Sequence, residues 1–379
     1  MNYKSILFFL GIFTLFVSIF SFLNILYSIY FDSISGFNSY VITLLISLVV
    51  GFLFTYVGRD HGRNISLSDQ IVFIVLSFII IPFLISIPYF FSIYNIGLLN
   101  SYFESVSGLT TTGFTIMQNV SDIDEPLMLW RSSSQWMGGL LFLLATIGTI
   151  GSKQIKIKPA YLISGGASGS NFYKNFNYNF IKILLIYLFS TIFVIPDEGF
   201  ANVFFSITSS ISTSGITTYS SNIDLSLFFI LLTIVGGSLI STSSGFKYTR
   251  IYILLKNSYQ EIYRLVKPIN VIDKNLFNTE SKIDDQDVKI AFLVFVTFIV
   301  SIFILSSILT LDNLSFENSF KLSILTLTNT VSSAIYGMDG LNFLDLNNFT
   351  KMSLIIFMIL GKIEIIAVIY FIRRFIFRE

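Results

Sequence analysis

Three stretches of small hydroxyl residues and glycine have the composition of a binding site for a dehydrated cation. The stretch FESVSGLTTTGFT, at 103–115, recurs without a gap as FSITSSISTSGIT at 205–217, and a weaker copy, KLSILTLTNTVSS, lies at 321–333. Each follows a long apolar run, fits about four helical turns and ends in a cluster of Ser, Thr, Asn or Gly. Rings of main-chain carbonyl oxygens can replace the hydration shell of a monovalent cation. The pattern therefore predicts three short helices that each end in an ion-filter loop.

Glycine at Gly113 and Gly215 can take positive φ, which lets successive carbonyl groups point the same way. The short helix before each loop would turn its negative C-terminal end toward the ion. The alternative is that Ser, Thr and Gly mark ordinary helix–helix contacts in a membrane, but two copies in gapless register favour a filter. The predicted filter residues are Thr110, Thr111, Thr112, Gly113, Ser212, Thr213, Ser214, Gly215, Asn329, Thr330 and Val331.

Composition places these loops in a membrane protein. The chain has 379 residues, of which 54% are hydrophobic and only 12% charged, whereas soluble domains carry about 25% charged residues. With no cysteine, one histidine and a net charge of +1, the sequence excludes disulfides and thiol catalysis. It also argues against a histidine metal site and against nucleic acid as a partner. We predict no enzyme activity and no cofactor.

Apolar runs long enough to span a bilayer recur along the chain. About eight spanning helices are predicted, at 5–30, 38–58, 70–94, 127–150, 178–196, 224–255, 288–311 and 350–373. Basic residues collect on one side of this topology and acidic residues on the other, with Arg131, Lys321 and Lys351 as exceptions. The positive-inside rule then makes both termini cytoplasmic and puts the three loops on the outer side. The predicted fold class is an all-α polytopic membrane protein in the cell (inner) membrane, with re-entrant loops.

At these residues the chain resembles the TrkH members of the Trk/Ktr/HKT superfamily of potassium transporters. The resembling segments include SYFESVSGLTTTGFT, LWRSSSQWMGGL at 129–140, GGSLISTSSGFKYTR at 236–250 and LGKIEI at 360–365. The resemblance runs nearly end to end. It implies potassium uptake through filters built around one glycine per repeat. It further implies a homodimer and a cytoplasmic ring of nucleotide-binding, TrkA-like subunits that gates transport.

The family repeat consists of a membrane helix, a pore loop and a second membrane helix (M1–P–M2). The family has four such repeats after a leading helix pair, and only three are found here. We predict a leading pair at 1–62, repeats at 63–152, 178–256 and 288–379, and cytoplasmic linkers at 153–177 and 257–287. The last helix of the second repeat, which contains GGSLISTSSGFKYTR, resembles an interrupted helix of the family. The third copy has Val331 where the family has a filter glycine, and a β-branched residue resists positive φ. The choice between potassium and sodium, and the number of chains that close one pore, stay open.

Three charged residues inside the apolar segments have candidate roles. Glu104 would hold the first loop through backbone or hydroxyl donors; the alternative is that it reaches the outer surface. Lys247 and the polar segment Ser243, Ser244 and Gly245 would form a gate below the filter; the alternative is that Lys247 anchors the cytoplasmic end of its helix. Lys362 would oppose ion passage from the last helix, where the family usually has Arg; the alternative is an ion pair with Glu104 or Glu364. Trp136 to Gly139 is interpreted as close helix packing.

The leading function hypothesis is a gated, channel-like uptake protein for a monovalent cation. The alternative is a non-conducting membrane subunit or sensor that kept the TrkH scaffold. A secondary transporter that couples its substrate to protons or sodium by symport also stays open, since interrupted helices form midplane sites as well. A membrane enzyme would need convergent acid–base or metal groups.

Overall fold

The structure is a computed structural model, and it describes residues 3–31, 34–59, 67–91, 96–117, 124–150, 207, 210, 213, 226–235, 244–246, 248–266, 285–338 and 341–363. Regular structure within these residues is entirely helical, which confirms the predicted all-α class. The chain divides into two units. The first comprises Met1–Thr149, Ile308–Asn313 and Gly340–Glu379, and the second comprises Ile150–Ser307 and Leu314–Asp339.

The first unit contains five helices from the N-terminal part of the chain and the last described helix. These are α1 (Tyr3–Tyr30), α2 (Ile34–Gly58), α3 (Leu67–Phe90), α4 (Leu98–Leu109), α5 (Glu125–Ile150) and, after the second unit in sequence, α10 (Asn348–Ile363). The second unit contains α6 (Ser226–Val235), α7 (Tyr248–Val266), most of α8 (Asp285–Thr310) and α9 (Phe316–Thr328). Short 3₁₀ turns lie at Ala334–Tyr336 in the second unit and at Phe343–Asp345 in the first.

Four described helices have the length and composition of membrane spans: Tyr3–Tyr30, Gly36–Gly58, Asp69–Phe90 and Asp287–Thr310. They coincide within a few residues with predicted spans, and α5 coincides with the predicted span at 127–150. The predicted span at 178–196, and the part of the last span after Ile363, lie outside the described residues. The chain is a multi-pass membrane protein, as its composition indicates.

Glycine lets α1 and α2 approach closely. A Cβ atom added to Gly11 would lie 2.7 Å from Thr55 Cγ2, and one added to Gly51 would lie 2.7 Å from Leu15 Cδ2. Backbones that pack this closely are typical of helix pairs in lipid, where small residues rather than the hydrophobic effect favour association. The two leading helices therefore form a tight hairpin.

Two prolines lie inside α3, at Pro82 and Pro88. Proline has no N–H and crowds the preceding turn, which weakens the helix hydrogen bonds there. Donors from neighbouring helices bond the carbonyl three residues before each proline: Tyr102 Oη to Ile79 O at 2.9 Å, and Trp130 Nε1 to Ile85 O at 3.0 Å. These bonds attach α4 and α5 to α3, and α4 is the helix that carries the first loop.

The predicted span at 224–255, for which the family resemblance implies an interrupted helix, overlaps two described helices, α6 and α7. Residues 244–246 are not helical, Gly245 has a φ of 92°, and the N–H of Phe246 donates to Ile234 O near the end of α6 at 2.9 Å. A glycine in this backbone region ends helical propagation without a steric penalty. Ser244 and Gly245 therefore lie at a helix interruption.

Candidate ion-filter loops

The first and third loops each follow a helix that is too short to cross a membrane. Helix α4 has 12 residues and α9 has 13, whereas about 20 are needed. Helix α9 begins at an N-cap, Ser315, whose hydroxyl accepts from the N–H of Asn318 at 3.3 Å. The second loop is described at three positions: Ile207 and Ser210 are helical, and Thr213 lies in a turn.

Main-chain donors of the first loop turn back toward α4. Four consecutive N–H groups donate to carbonyl oxygens in the last turns of α4. The N···O distances are 2.8 Å for Thr110, 2.9 Å for Thr111, 2.9 Å for Thr112 and 3.4 Å for Gly113. In a trans peptide unit the C=O group points opposite to the N–H group. The carbonyl oxygens of Thr110, Thr111 and Thr112 therefore point away from the helix end, which is the orientation that a carbonyl-lined filter requires.

All three loops contain the same left-handed turn. The aligned residues Thr111, Thr213 and Asn329 have φ values of 59°, 56° and 50°. The N–H of each donates to the carbonyl oxygen three residues earlier, at 2.9, 3.1 and 3.2 Å respectively. Non-glycine residues rarely adopt positive φ, and asparagine does so more readily than most. The shared turn shows that the weak third copy repeats the backbone geometry of the first.

Sequence reasoning missed this turn, because it assigned positive φ to the glycines two residues later. Gly113 does have positive φ, at 82°. Asn329 was the available signal, since asparagine at a helix C-terminus commonly takes the left-handed conformation. Val331, which aligns with Gly113, does not have positive φ. Ser212, Ser214 and Gly215 lie outside the described residues.

Hydroxyl groups on both sides of the left-handed residue hydrogen-bond to each other. In the first loop Thr110 Oγ1 and Thr112 Oγ1 are 2.7 Å apart, and in the third loop Thr328 Oγ1 and Thr330 Oγ1 are 3.0 Å apart. All four side chains are buried. This hydrogen bond between two side chains spans each turn and stabilises it. The repeated hydroxyl residues therefore have a structural role besides any contact with an ion.

Glu104 connects α4 to the segment after the first loop. Its carboxylate accepts from the Ile116 N–H at 3.0 Å and from Thr115 Oγ1 at 3.2 Å, and it lies 3.4 Å from Arg131 Nη2 of α5. The side chain is buried, which is inconsistent with the alternative that it reaches the outer surface. This ion pair explains why Arg131 lies on the side of the topology where acidic residues collect.

Glycine and serine allow α5 to lie directly against the end of α4. A Cβ atom added to Gly138 would overlap the carbonyl oxygen of Leu109, and one added to Gly108 would overlap Ser134 Oγ. Gly139 has open space around it. Within the WMGG sequence, Gly138 is therefore the residue that permits close packing at the start of the first loop.

Lys362 of α10 contacts the first loop directly. Its Nζ donates to Thr111 Oγ1 at 2.7 Å and lies 5.2 Å from the centroid of the Phe142 ring, and the side chain is 2% exposed. The ion pair described for Glu104 is with Arg131 rather than with Lys362. Glu364 lies outside the described residues. The ammonium group is thus placed beside the left-handed residue of the loop, a contact that sequence reasoning did not predict.

Ser244 makes a comparable contact with the third loop. Its hydroxyl donates to Asn329 Oδ1 at 2.6 Å, and both side chains are buried. Gly245 follows with positive φ. Ser243 and Lys247, the other predicted gate residues, lie outside the described residues.

The two remaining exceptions to the charge pattern also have partners. Lys321 Nζ lies 2.6 Å from Glu317 Oε1, one helical turn earlier, and Lys351 Nζ donates to Leu344 O at 2.9 Å. The spacing of Glu317 and Lys321 could have been recognised in the sequence as a helical i,i+4 pair. In the described part of the chain, no cluster of three or more His, Asp or Glu residues could hold a metal ion.

Comparison with known proteins identifies related chains. Residues 192–376 match the family model TrkH, described as a cation transport protein. An uncharacterized cation transporter of Methanocaldococcus jannaschii is 24% identical over 462 aligned positions, which cover 93% of this chain and 92% of that protein. The Trk system potassium uptake protein TrkH of Escherichia coli K12 is 24% identical over 109 residues, only 23% of its length.

The fold has a counterpart among solved structures. The crystal structure of the potassium transporter TrkH from Vibrio parahaemolyticus matches with a TM-score of 0.82 at 19% identity, over 98% of each chain. At this identity the likeness concerns the fold alone.

Proposed function

We propose that this chain, whose residues 192–376 match the TrkH family of cation transport proteins, takes up potassium across the cell membrane through a filter of main-chain carbonyl oxygens. The family is one of transporters and not of enzymes. Potassium is the ion named for the Escherichia coli and Vibrio parahaemolyticus proteins that it resembles. No cofactor is needed for such transport. The membrane potential would drive uptake, at about 2.3 kcal/mol per charge per 100 mV.

The observation that carries the proposal is the left-handed turn common to Thr111, Thr213 and Asn329. A repeated turn with its N–H groups directed into the preceding helix presents its carbonyl groups on the opposite side. Backbone that leaves the helical conformation within a membrane is tolerated where protein or water satisfies it. Three such loops in one chain support a filter built from repeated loops.

Several finer features belong to the same proposal. Both termini would be cytoplasmic, and the protein would function as a homodimer in the inner membrane. The polar connectors at 153–177 and 257–287 would face a cytoplasmic, TrkA-like nucleotide-binding subunit. Lys362 would act as a positive barrier at the first loop, supported by its contact with Thr111.

The chain would have three helix–loop–helix repeats rather than four. The alignment with the Methanocaldococcus protein supports this. It has 462 positions, more than the 379 residues of this chain, so it must contain gaps where the relative has residues and this chain has none. The predicted repeats at 63–152, 178–256 and 288–379 would then contribute one loop each.

A second candidate function is a non-conducting membrane subunit derived from a transporter of this type. The specific observation in its favour is Val331, which does not have the positive φ of the aligned Gly113. A loop without that geometry would supply one carbonyl fewer to the filter.

Growth of a potassium-uptake-deficient bacterium on low potassium separates the two candidates. We expect the chain to restore growth, and Gly113→Asp or Gly215→Asp to abolish the rescue while leaving the amount of protein in the membrane unchanged. Failure of the purified protein to move potassium or rubidium into liposomes, with and without a nucleotide-binding subunit, would establish the non-conducting alternative.

A further inference from the structure

An aromatic side chain from the segment before α10 packs against the first loop. Phe343 begins the short 3₁₀ turn Phe343–Asp345, and its ring stacks on that of Phe114, with centroids 4.7 Å apart and ring planes inclined by 23°. We propose that Phe343 is a positioning residue that holds Phe114, and through it Gly113, in the geometry by which the first loop prefers potassium to sodium. This inference rests on the proposed function, because selectivity can be measured only in a conducting protein.

The ring of Phe343 belongs to a buried cluster of three phenylalanines. It also contacts Phe103 of α4, with a centroid distance of 5.7 Å, and Phe103, Phe114 and Phe343 are 0%, 1% and 2% exposed. Aromatic pairs at such distances attract each other beyond the effect of the area that they bury. The turn therefore contacts both the helix that precedes the first loop and the residue that follows its glycine.

Phe114 is placed to influence the orientation of the Gly113 carbonyl group. Gly113 has a φ of 82° and no side chain that packing could hold, so its peptide groups are held through its neighbours. The carbonyl oxygen of Phe114 accepts from Ser107 Oγ of α4 at 2.7 Å. Because a peptide unit is planar, movement of the Phe114 backbone rotates the unit that contains the Gly113 carbonyl. Support of the Phe114 ring by Phe343 would limit that rotation.

The turn that carries Phe343 is attached to elements outside the first loop. Lys351 Nζ of α10 donates to Leu344 O at 2.9 Å. Asp312, which follows α8, accepts from the Asn347 N–H at 2.7 Å and from the side-chain amide of the same residue. These bonds hold the turn independently of the ring contact. Phe343 can therefore serve as a fixed support on which Phe114 rests.

Removal of the ring should weaken selectivity more than transport. Discrimination between alkali cations depends on the number and the field strength of the carbonyl groups around the ion. An aromatic pair contributes enough to shift a two-state equilibrium by about fivefold. We expect Phe343→Leu to lower, by about fivefold, the ratio of the sodium concentration to the potassium concentration that half-inhibits rubidium uptake into liposomes.

A double-mutant cycle tests whether the effect passes through Phe114. Phe114→Leu should lower the same ratio, and the double variant should match either single variant, because both changes remove one ring contact. If Phe343→Leu cannot be recovered in folded form, Phe343→Met is used instead, since methionine fills a similar volume without a ring.

Phe73→Leu is the matched control. Phe73 is another buried phenylalanine of the same unit, and its ring packs against Phe9 and Phe13 of α1, with centroid distances of 5.7 and 5.9 Å. This variant should lower the melting temperature in detergent to a similar extent and leave the ion ratio unchanged. The comparison separates a side chain that only stabilises the fold from one that determines selectivity.

Each outcome decides the inference. An ion ratio of Phe343→Leu equal to that of the unmodified protein would overturn the positioning role and leave the proposed function intact. Effects that add in the double variant, or an equal fall of the ratio in Phe73→Leu, would overturn it as well. If the unmodified protein moves no rubidium, even with a nucleotide-binding subunit present, the proposed function itself fails and the positioning role with it.

Discussion

The ammonium group of Lys362 lies 2.7 Å from the hydroxyl oxygen of Thr111, the residue of the first loop that has left-handed backbone geometry. A buried lysine in the middle of a membrane protein is costly unless it has a partner or a function. Here the hydroxyl of Thr111 and the face of Phe142 lie beside the charge. An ion that leaves the first loop on this side would meet a positive charge.

Removal of this charge should increase ion leakage. We expect Lys362→Met, which keeps most of the side-chain volume, to raise rubidium efflux from liposomes by about tenfold or more. A charge a few ångströms from a path of effective dielectric constant about 20 changes the energy of an ion by more than the amount needed for that factor. Lys362→Arg keeps the charge and is the control. Efflux that stays constant or falls in Lys362→Met would contradict a barrier role.

Val331 should limit the selectivity of the third loop. Val331→Gly allows positive φ at the position aligned with Gly113, so we expect a higher preference for potassium over sodium. The measurement is competition between the two ions for rubidium uptake. Val331→Ala, which shortens the side chain but still disfavours positive φ, should resemble the unmodified protein. Equal selectivity in the glycine and alanine variants would show that φ at this position is not decisive.

The Glu104–Arg131 ion pair should stabilise the first loop. Glu104→Gln leaves Arg131 buried beside a neutral group, and loss of one partner of a buried pair costs about 3–5 kcal/mol. We expect a lower melting temperature in detergent together with reduced uptake. The double variant Glu104→Gln with Arg131→Gln removes both charges and should recover part of the lost stability. A double variant that is less stable than both single variants would argue against direct pairing.

Gly138 should be intolerant of a side chain. Gly138→Ala places a methyl group on the carbonyl oxygen of Leu109, and overpacking of this kind costs about 1–3 kcal/mol. Because Leu109 is the last residue of α4, uptake should fall together with the melting temperature. Gly139→Ala is the matched control, since nothing lies within 4 Å of a Cβ atom there. Equal behaviour of the two variants would contradict the proposed contact.

Much of the fold follows from composition and local pattern. Long apolar runs indicate membrane helices, because lipid offers no hydrogen-bond partners and a helix forms its backbone hydrogen bonds within its own segment. The register between 103–115 and 321–333 predicted equivalent loops, and the structure shows the same turn at Thr111 and Asn329. Within the predicted span at 224–255, the apolar pattern alone did not separate α6 from α7, whereas the resemblance to the family implied an interrupted helix there.

The sequence by itself determined the membrane class, the position of the loops and the residue types in them, because these depend on neighbouring residues along one segment. Only the tertiary structure decided the partners of the buried polar groups. Lys362 and Thr111 are 251 positions apart, and Ser244 and Asn329 are 85 apart. Which side chains meet across such separations depends on the rotation and crossing of packed helices, and local patterns carry no information about either.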